Sequence, residues 1–176
     1  LLHHLIGSRS LVWNLAKNDI KKKFAGSYFG VVWAFVQPVI TVLLYWFVFE
    51  KGLNSKATDL RTGIEIPFVL WLTAGLVPWF YFQEALNGGT GVLVEYSYLV
   101  KKVVFQIDML PVVKTISALF THLFFVAFTI VLFICMGYMP DWYALQVVYY
   151  SFCMILFATG LVYATSAVTV FFRDMK

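Results

Sequence analysis

The chain contains little charge and little cysteine, and it lacks the common catalytic motifs. Asp, Glu, Lys and Arg make up 12% of its 176 residues, about half the share found in an ordinary globular domain. Cys135 and Cys153 both lie in apolar runs, which favours plain packing over a disulfide. The sequence has no G-x-x-x-x-G-K-[ST], H-E-x-x-H or G-x-S-x-G pattern. It therefore predicts no nucleotide site, metal site, cofactor or enzyme activity in this chain.

Long uncharged runs dominate the sequence. Hydrophobic residues make up 61% of the chain, and no charged residue occurs in residues 24–49, 66–83, 115–140 or 142–172. As a helix, the run 66–83 would be about 27 Å long, close to the ~30 Å hydrocarbon thickness of a bilayer. We therefore predict an all-α integral membrane protein. Its four transmembrane helices are predicted at residues 30–49, 66–86, 111–138 and 143–172.

The amino-terminal region, residues 1–29, is predicted to be a basic amphipathic helix and a turn. Trp13, Lys17 and Lys21 recur on one helical face, and Val12 and Ala16 lie on an adjacent face. Such a helix suits a membrane surface, with its lysines at the headgroups and its apolar side chains in the interface. A solvated helix would give a similar pattern.

Polar segments separate the predicted spans. Residues 87–91, NGGTG, are predicted to be a flexible connection in which Thr90 can cap a helix. Residues 92–100 are then predicted to form a short surface helix, since they are too few to span a bilayer and Glu95 interrupts them.

Polar residues inside the later spans raise two further expectations. His122 is a functional candidate because ionisable groups are costly within a bilayer, but a neutral histidine hydrogen-bonded to a neighbouring helix is the simpler explanation. In the fourth span, Thr159, Tyr163, Ser166 and Thr169 share one helical face, which we expect to face protein or a polar path. The small pair Gly160 and Ala164 predicts a close helix contact.

The distribution of Lys and Arg predicts the orientation. If the amino terminus is cytoplasmic, three basic residues lie outside, Lys51, Lys56 and Arg61. The other ten then lie inside: Arg9, Lys17, Lys21, Lys22, Lys23, Lys101, Lys102, Lys114, Arg173 and Lys176. This asymmetry favours a cytoplasmic amino terminus, and it indicates orientation, not nucleic-acid binding.

Several motifs resemble those of one transporter family. Residues 18–33, NDIKKKFAGSYFGVVW, precede Gln37-Pro38, and the later matches are YWFVF at 45–49, AGLVPWF at 74–80, LVKKVVF at 99–105 and LP at 110–111. Together they are similar to ABC-2 type permeases that export polysaccharides, most closely to the wall teichoic acid exporter branch, with O-antigen exporters related. Two residues depart from the family pattern: Phe29 replaces a usual leucine and Gln106 replaces a usual proline.

The resemblance implies one ABC-2 transmembrane domain over residues 1–176, truncated at its carboxyl end because six spans are expected. It implies a homodimer with two separate ATPase subunits that bind ATP and Mg, and a lipid-linked glycan as substrate. Residues 88–108 would form a cytoplasmic coupling segment. Its implied contact residues for the ATPase are Val94, Glu95, Tyr96, Tyr98, Leu99 and Lys101.

Two sets of residues are candidates for handling such a substrate. Sugar rings stack on aromatic faces, so Tyr45, Trp46, Trp71, Trp79, Phe80 and Tyr81 are candidates for the translocation path; an aromatic belt or plain packing is the alternative. Lys21, Lys22 and Lys23 are candidates for attracting the substrate pyrophosphate, or else they only mark the cytoplasmic side.

Other functions share this hydropathy. A permease for O-antigen, capsule or a small drug would carry nearly the same motifs. An integral-membrane enzyme acting on polyprenyl-phosphate glycans should show acidic or histidine clusters at a membrane face, and the sequence has none.

Overall fold

A computed structural model of the chain describes residues 9–23, 30–58, 63–97 and 107–172, and these are nearly all helical. The helices are α1 (Arg9–Lys23), α2 (Trp33–Trp46), α3 (Phe68–Thr90), α4 (Val92–Glu95), α5 (Leu110–Cys135) and α6 (Gln146–Phe171). Short 3₁₀ turns precede α2, α5 and α6 at Gly30–Val32, Ile107–Met109 and Trp142–Leu145, and a π-helical turn, Phe47–Gly52, continues α2. The strands β1 (Ala57–Thr58) and β2 (Glu65–Ile66) pair antiparallel, with Ala57 opposite Ile66.

Three helical stretches in the described part of the chain are long and apolar enough to cross a membrane: Trp33–Gly52, Ile107–Cys135 and Trp142–Phe171. They confirm the prediction of an all-α integral membrane protein. The helix α3 has 23 residues, about 34 Å, and is long enough to span. It is not among the three because its Trp, Tyr, Gln and Glu side chains lower its mean hydropathy. Its role as the second of the four predicted spans stays a prediction.

The helix α3 lies at the centre of the bundle, packed against α5 and α6. One buried cluster joins Tyr81 and Ala85 of α3 to Ala118 of α5 and Ala158 of α6. Nearer the carboxyl end of α3, Gly89 approaches α6 so closely that a Cβ atom there would lie 2.3 Å from Val162 Cγ1. Small residues therefore set the separation between α3 and α6.

The first helix, α1, packs against α5. Val12 and Ala16 are buried in a cluster with Met109 and Val113, while Trp13, Lys17 and Lys21 on the adjacent face are exposed. The predicted helix and its two faces are thus present. The apolar face with Val12 and Ala16 contacts protein. The helical repeat of apolar residues in the sequence cannot show whether such a face contacts protein or lipid.

Two details differ from the sequence predictions around α4. Residues 87–90 are not a flexible connection, because α3 continues through them to Thr90. Thr90 is not a cap; its Oγ1 donates to the Leu86 carbonyl at 2.7 Å and lies 3.2 Å from Thr165 Oγ1 of α6. The helix that follows has only four residues; Val92 and Tyr96 are buried and Glu95 is exposed, and residues 98–100 of the predicted surface helix lie outside the described residues.

On α6, the polar face is oriented as predicted, but the small pair Gly160 and Ala164 does not make the predicted close contact with the described residues. Ser166 and Thr169 are buried, and the Tyr163 hydroxyl donates to the Asp108 carbonyl at 2.5 Å, so this face does turn toward protein. Gly160 and Ala164 are exposed, and apart from the nearby backbone of α6 itself no atom of the described residues lies within 4 Å of a Cβ built on Gly160. Within this part of the chain they make no close helix contact.

Candidate functional site

A cleft of about 1120 Å³ opens between α2, α3 and α5, and α1 and α4 contribute to one end. Along α2 it runs from Trp33 to Tyr45 and along α3 from Leu76 to Gly88, roughly 18 Å on each helix. On α5 it runs from Lys114 to Thr121. Most of the cleft lining lies within the predicted spans, and Asp19, Lys22, Asn87, Gly88 and Glu95 at one end lie outside them.

Charged side chains gather at one end of this cleft. They are Asp19 and Lys22 of α1, Glu84 of α3, Glu95 of α4 and Lys114 of α5. These five are the charged residues among the described residues that line the cleft, and their formal charges sum to −1. The predicted orientation places this end on the cytoplasmic side.

Lys114 and Asp19 form the centre of a buried polar network, which we call the Asp19 joint (Asp19, Glu95, Tyr96 and Lys114). The Asp19 carboxylate accepts hydrogen bonds from Lys114 Nζ at 2.7 Å and from the Tyr96 hydroxyl at 2.9 Å. Lys114 Nζ also lies 3.3 Å from Glu95 Oε2 and 5.4 Å from the centre of the Tyr96 ring. The joint therefore links α1, the α4 region and α5 where the cleft ends.

The joint is well shielded. The Lys114 and Asp19 side chains are 12% and 9% exposed, and leaving either charge without its partner would be strongly destabilising, by about 3–5 kcal/mol. The sequence analysis counts Lys114 among the cytoplasmic basic residues that indicate orientation. In the structure its side chain is mostly buried and forms an ion pair with Asp19.

The remaining cleft wall is uncharged but polar. Amide side chains come from Gln37, Gln83 and Asn87, and hydroxyl groups come from Thr41, Ser117 and Thr121. Sequence reasoning missed these residues. The available signal was the isolated amide in an otherwise apolar run, as at Gln37, and the single acid among the basic residues of α1, Asp19.

Three of the six aromatic residues predicted for the translocation path line the cleft, and three do not. Tyr45, Trp79 and Phe80 line the cleft, and their rings give its wall apolar faces. Trp46 is half-buried against the Val42–Leu70 cluster, and Trp71 is exposed outside the cleft.

The sixth, Tyr81, is buried in the helix packing. Its hydroxyl donates to the Thr115 carbonyl at 3.4 Å, and its ring lies 5.1 Å from the His122 ring. His122 is also buried, with Nε2 3.1 Å from Ser151 Oγ of α6. This bond to a neighbouring helix is the simpler of the two expectations for His122.

The predicted basic and coupling residues also divide. Lys22 lines the cleft, with its ammonium 5.6 Å from the centre of the Tyr96 ring, whereas Lys21 is exposed and does not line it. The Lys23 side chain lies outside what the structure describes. Of the coupling residues, Val94, Glu95 and Tyr96 are described, and Tyr98, Leu99 and Lys101 lie outside the described residues. Tyr96 is buried, so its side chain acts within the chain and not on its surface.

Comparisons with known proteins agree with this architecture. Residues 10–176 match the family described as ABC-2 type transporter. The chain is similar to the O-antigen export system permease protein RfbA of Myxococcus xanthus, 25% identical over 176 residues, which are all of this chain and 65% of that protein. It is also similar to the protein of the same name from Klebsiella pneumoniae, 22% identical over 166 residues, which are 92% of this chain and 60% of that protein.

The chain thus spans less than two thirds of the length of these curated relatives. The family match, in contrast, covers almost the whole chain, and it confirms the resemblance seen in the sequence motifs. This chain belongs to the ABC-2 type transporter family of membrane proteins.

Proposed function

We propose that this chain is the main part of a permease subunit that exports a lipid-linked polysaccharide of the O-antigen type across the bacterial cytoplasmic membrane. The family match supports a transporter, and both relatives are named as O-antigen export permeases. These names favour O-antigen over wall teichoic acid, which the sequence motifs alone had favoured and which the comparisons do not support.

The cleft is the observation that carries this proposal. The polyprenyl tail of a lipid-linked glycan is stable in lipid, but its sugars need hydrogen-bond partners because unsatisfied polar groups are costly in hydrocarbon. The cleft offers amides and hydroxyls on its walls and aromatic faces at Tyr45, Trp79 and Phe80. Such a surface suits a sliding sugar chain, since stacking and exchangeable hydrogen bonds do not fix one register.

The energy would come from outside this chain. The sequence has no nucleotide-binding motif, and the resemblance to ABC-2 permeases implies two copies of this subunit with two ATPase subunits that bind ATP and Mg. The residues after α3 would contact the ATPase from the cytoplasm.

The Asp19 joint would carry motion from that contact to the cleft. Glu95 ends α4, the helix that follows α3, and Tyr96 comes next. Glu95 bonds to Lys114 and Tyr96 to Asp19, and both partners line the cleft end. A shift of the α4 region therefore strains the bonds to Asp19 on α1 and Lys114 on α5. In an alternating-access scheme, this links nucleotide-driven closure to the width of the cleft entrance.

A matched pair of tryptophan substitutions tests the path. Trp79 and Trp71 lie on the same helix and are 55% and 57% exposed, but only Trp79 lines the cleft. We expect Trp79→Ala in the full-length protein to reduce surface O-antigen about tenfold, because a lost stacking contact is worth roughly 1–2 kcal/mol. Lipid-linked glycan should accumulate in the cytoplasmic leaflet.

Trp71→Ala is the control and should export normally at equal expression. The assay is complementation of a strain that lacks its O-antigen permease, read by surface polysaccharide and by extraction of lipid-linked intermediates. Equal export by the two variants would mean that the cleft is not the path.

A further inference from the structure

We infer that the cleft selects glycans whose repeating units carry no charge. This inference rests on the proposed export function and deepens it by naming a substrate class. Its basis is the distribution of charge along the cleft, which neither the family match nor the names of the relatives specify.

The wall formed by α2 carries no charged group over the whole stretch from Trp33 to Tyr45 that lines the cleft. On α5 the described lining beyond Lys114 is Ser117, Ala118 and Thr121, also uncharged. In the part of the chain that the structure describes, the charged lining residues are confined to one end. A polymer moving through the cleft therefore meets amide, hydroxyl and aromatic groups over most of its length.

The charges at that end do not favour a polyanion either. Among the described residues, three carboxylates and two lysines line it, a formal charge of −1. The Lys114 ammonium is already engaged by Asp19 at 2.7 Å and Glu95 at 3.3 Å. An anionic repeating unit would have to compete with these carboxylates and would be repelled by them at short range.

The lipid carrier itself does not contradict this inference. Its pyrophosphate occurs once per molecule and can stay near Lys22 at the cytoplasmic end of the cleft. A phosphate or carboxylate in every repeating unit would instead place several charges along the uncharged wall at once, where each is costly without a partner.

The test compares two polymers in one transport assay. The full-length protein and its ATPase are reconstituted in liposomes with a polyprenyl-pyrophosphate-linked neutral hexose polymer, or with a polymer of equal length carrying one hexuronic acid per repeating unit. ATP-dependent translocation is read by the access of an added glycosidase. We expect the neutral polymer to move at least about tenfold faster, the factor expected for a modest like-charge penalty.

Substitutions at Gln37 assign the selection to the cleft wall. Gln37 lines the cleft on α2, and Gln37→Glu has nearly the same shape. Gln37→Lys should raise the ratio of acidic to neutral transport about tenfold, and Gln37→Glu should lower it further. Gln146→Glu, at an exposed position of α6 outside the cleft, should leave the ratio unchanged.

Equal transport of the two polymers by the natural sequence would overturn the inference while leaving the export function intact. A ratio that Gln37→Lys does not change would overturn the role of the cleft wall in the selection. If neither polymer moves although ATP is hydrolysed, the proposed function itself fails, and the inference that rests on it fails too.

Discussion

Replacing Gly89 with alanine should damage the packing of α3 against α6. A Cβ atom at this position would lie 2.3 Å from Val162 Cγ1, 2.9 Å from Cγ2 and 3.1 Å from Cβ. Val162 is completely buried. Rotation about χ1 moves the two methyl groups but not Cβ, and valine in a helix has one strongly preferred rotamer. The side chain therefore cannot turn aside, and the two helices must separate.

The expected magnitude is the difference between two terms. Overpacking a well-packed site costs about 1–3 kcal/mol, and a 2.3 Å approach belongs at the upper end of that range. Alanine gains about 1 kcal/mol over glycine in a helix interior. The net loss is therefore about 2 kcal/mol. The variant should also export less glycan per ATP hydrolysed, because Gly89 lies just before the α4 region.

The measurement is the thermal stability of purified full-length protein in one detergent, followed as the monodisperse fraction after heating. Gly75→Ala is the matched control on the same helix, since nothing lies within 4 Å of its Cβ position in the described residues. It should be neutral or slightly stabilising. Adding Val162→Ala to Gly89→Ala should restore most of the loss, because the two closest atoms disappear. If Gly89→Ala is as stable as Gly75→Ala, the close approach of α3 and α6 is incorrect.

Three further predictions concern charged groups. Tyr96→Phe removes the hydroxyl donor to Asp19 but keeps the ring. The free energy of unfolding should fall by about 1–2 kcal/mol, and less glycan should be exported per ATP hydrolysed. An unchanged ratio of exported glycan to hydrolysed ATP would exclude coupling through the Asp19 joint. Lys22→Ala should raise the apparent KM for lipid-linked glycan about threefold to tenfold. Lys21→Ala, outside the cleft, should leave the apparent KM unchanged. Equal effects of the two substitutions would mean that the total positive charge of the surface, not the cleft, attracts the substrate. Glu50→Gln should lower thermal stability by about 0.3–1 kcal/mol, because the Glu50 carboxylate accepts from the Val69 N–H at the start of α3 at 3.3 Å, and no loss would make that bond irrelevant.

Much of the fold follows from hydrophobic runs and turn residues. The helices α2, α5 and α6 lie within or close to their predicted ranges because a long uncharged segment has few alternatives in a membrane. The prediction failed at residues 87–90. There NGGT resembles a loop by composition, but contact with α6 keeps it helical, and helix propensity is a weak prior when packing opposes it.

The site was less accessible to sequence reasoning. The aromatic residues could be identified as a group, but which of them line the cleft depends on the rotation of α3, and Trp71 and Trp79 have the same local character in the sequence. The Asp19 joint was missed for a different reason. Its three contributing segments are far apart in the chain, and no local pattern marks Asp19 as the partner of Lys114.

The distance in sequence between Asp19 and Lys114 affects the order in which the protein folds during synthesis. Asp19 and Lys114 are 95 residues apart, so at 5–20 residues per second the ribosome needs about 5–20 s after Asp19 to synthesise its partner. During that time α2 and α3 are synthesised. With the predicted cytoplasmic amino terminus, the first helix waits at that membrane surface with its acid not yet paired to Lys114, and it can settle into its final place only when α5 has been inserted. The amino-terminal helix is thus synthesised early but is among the last elements to complete its contacts.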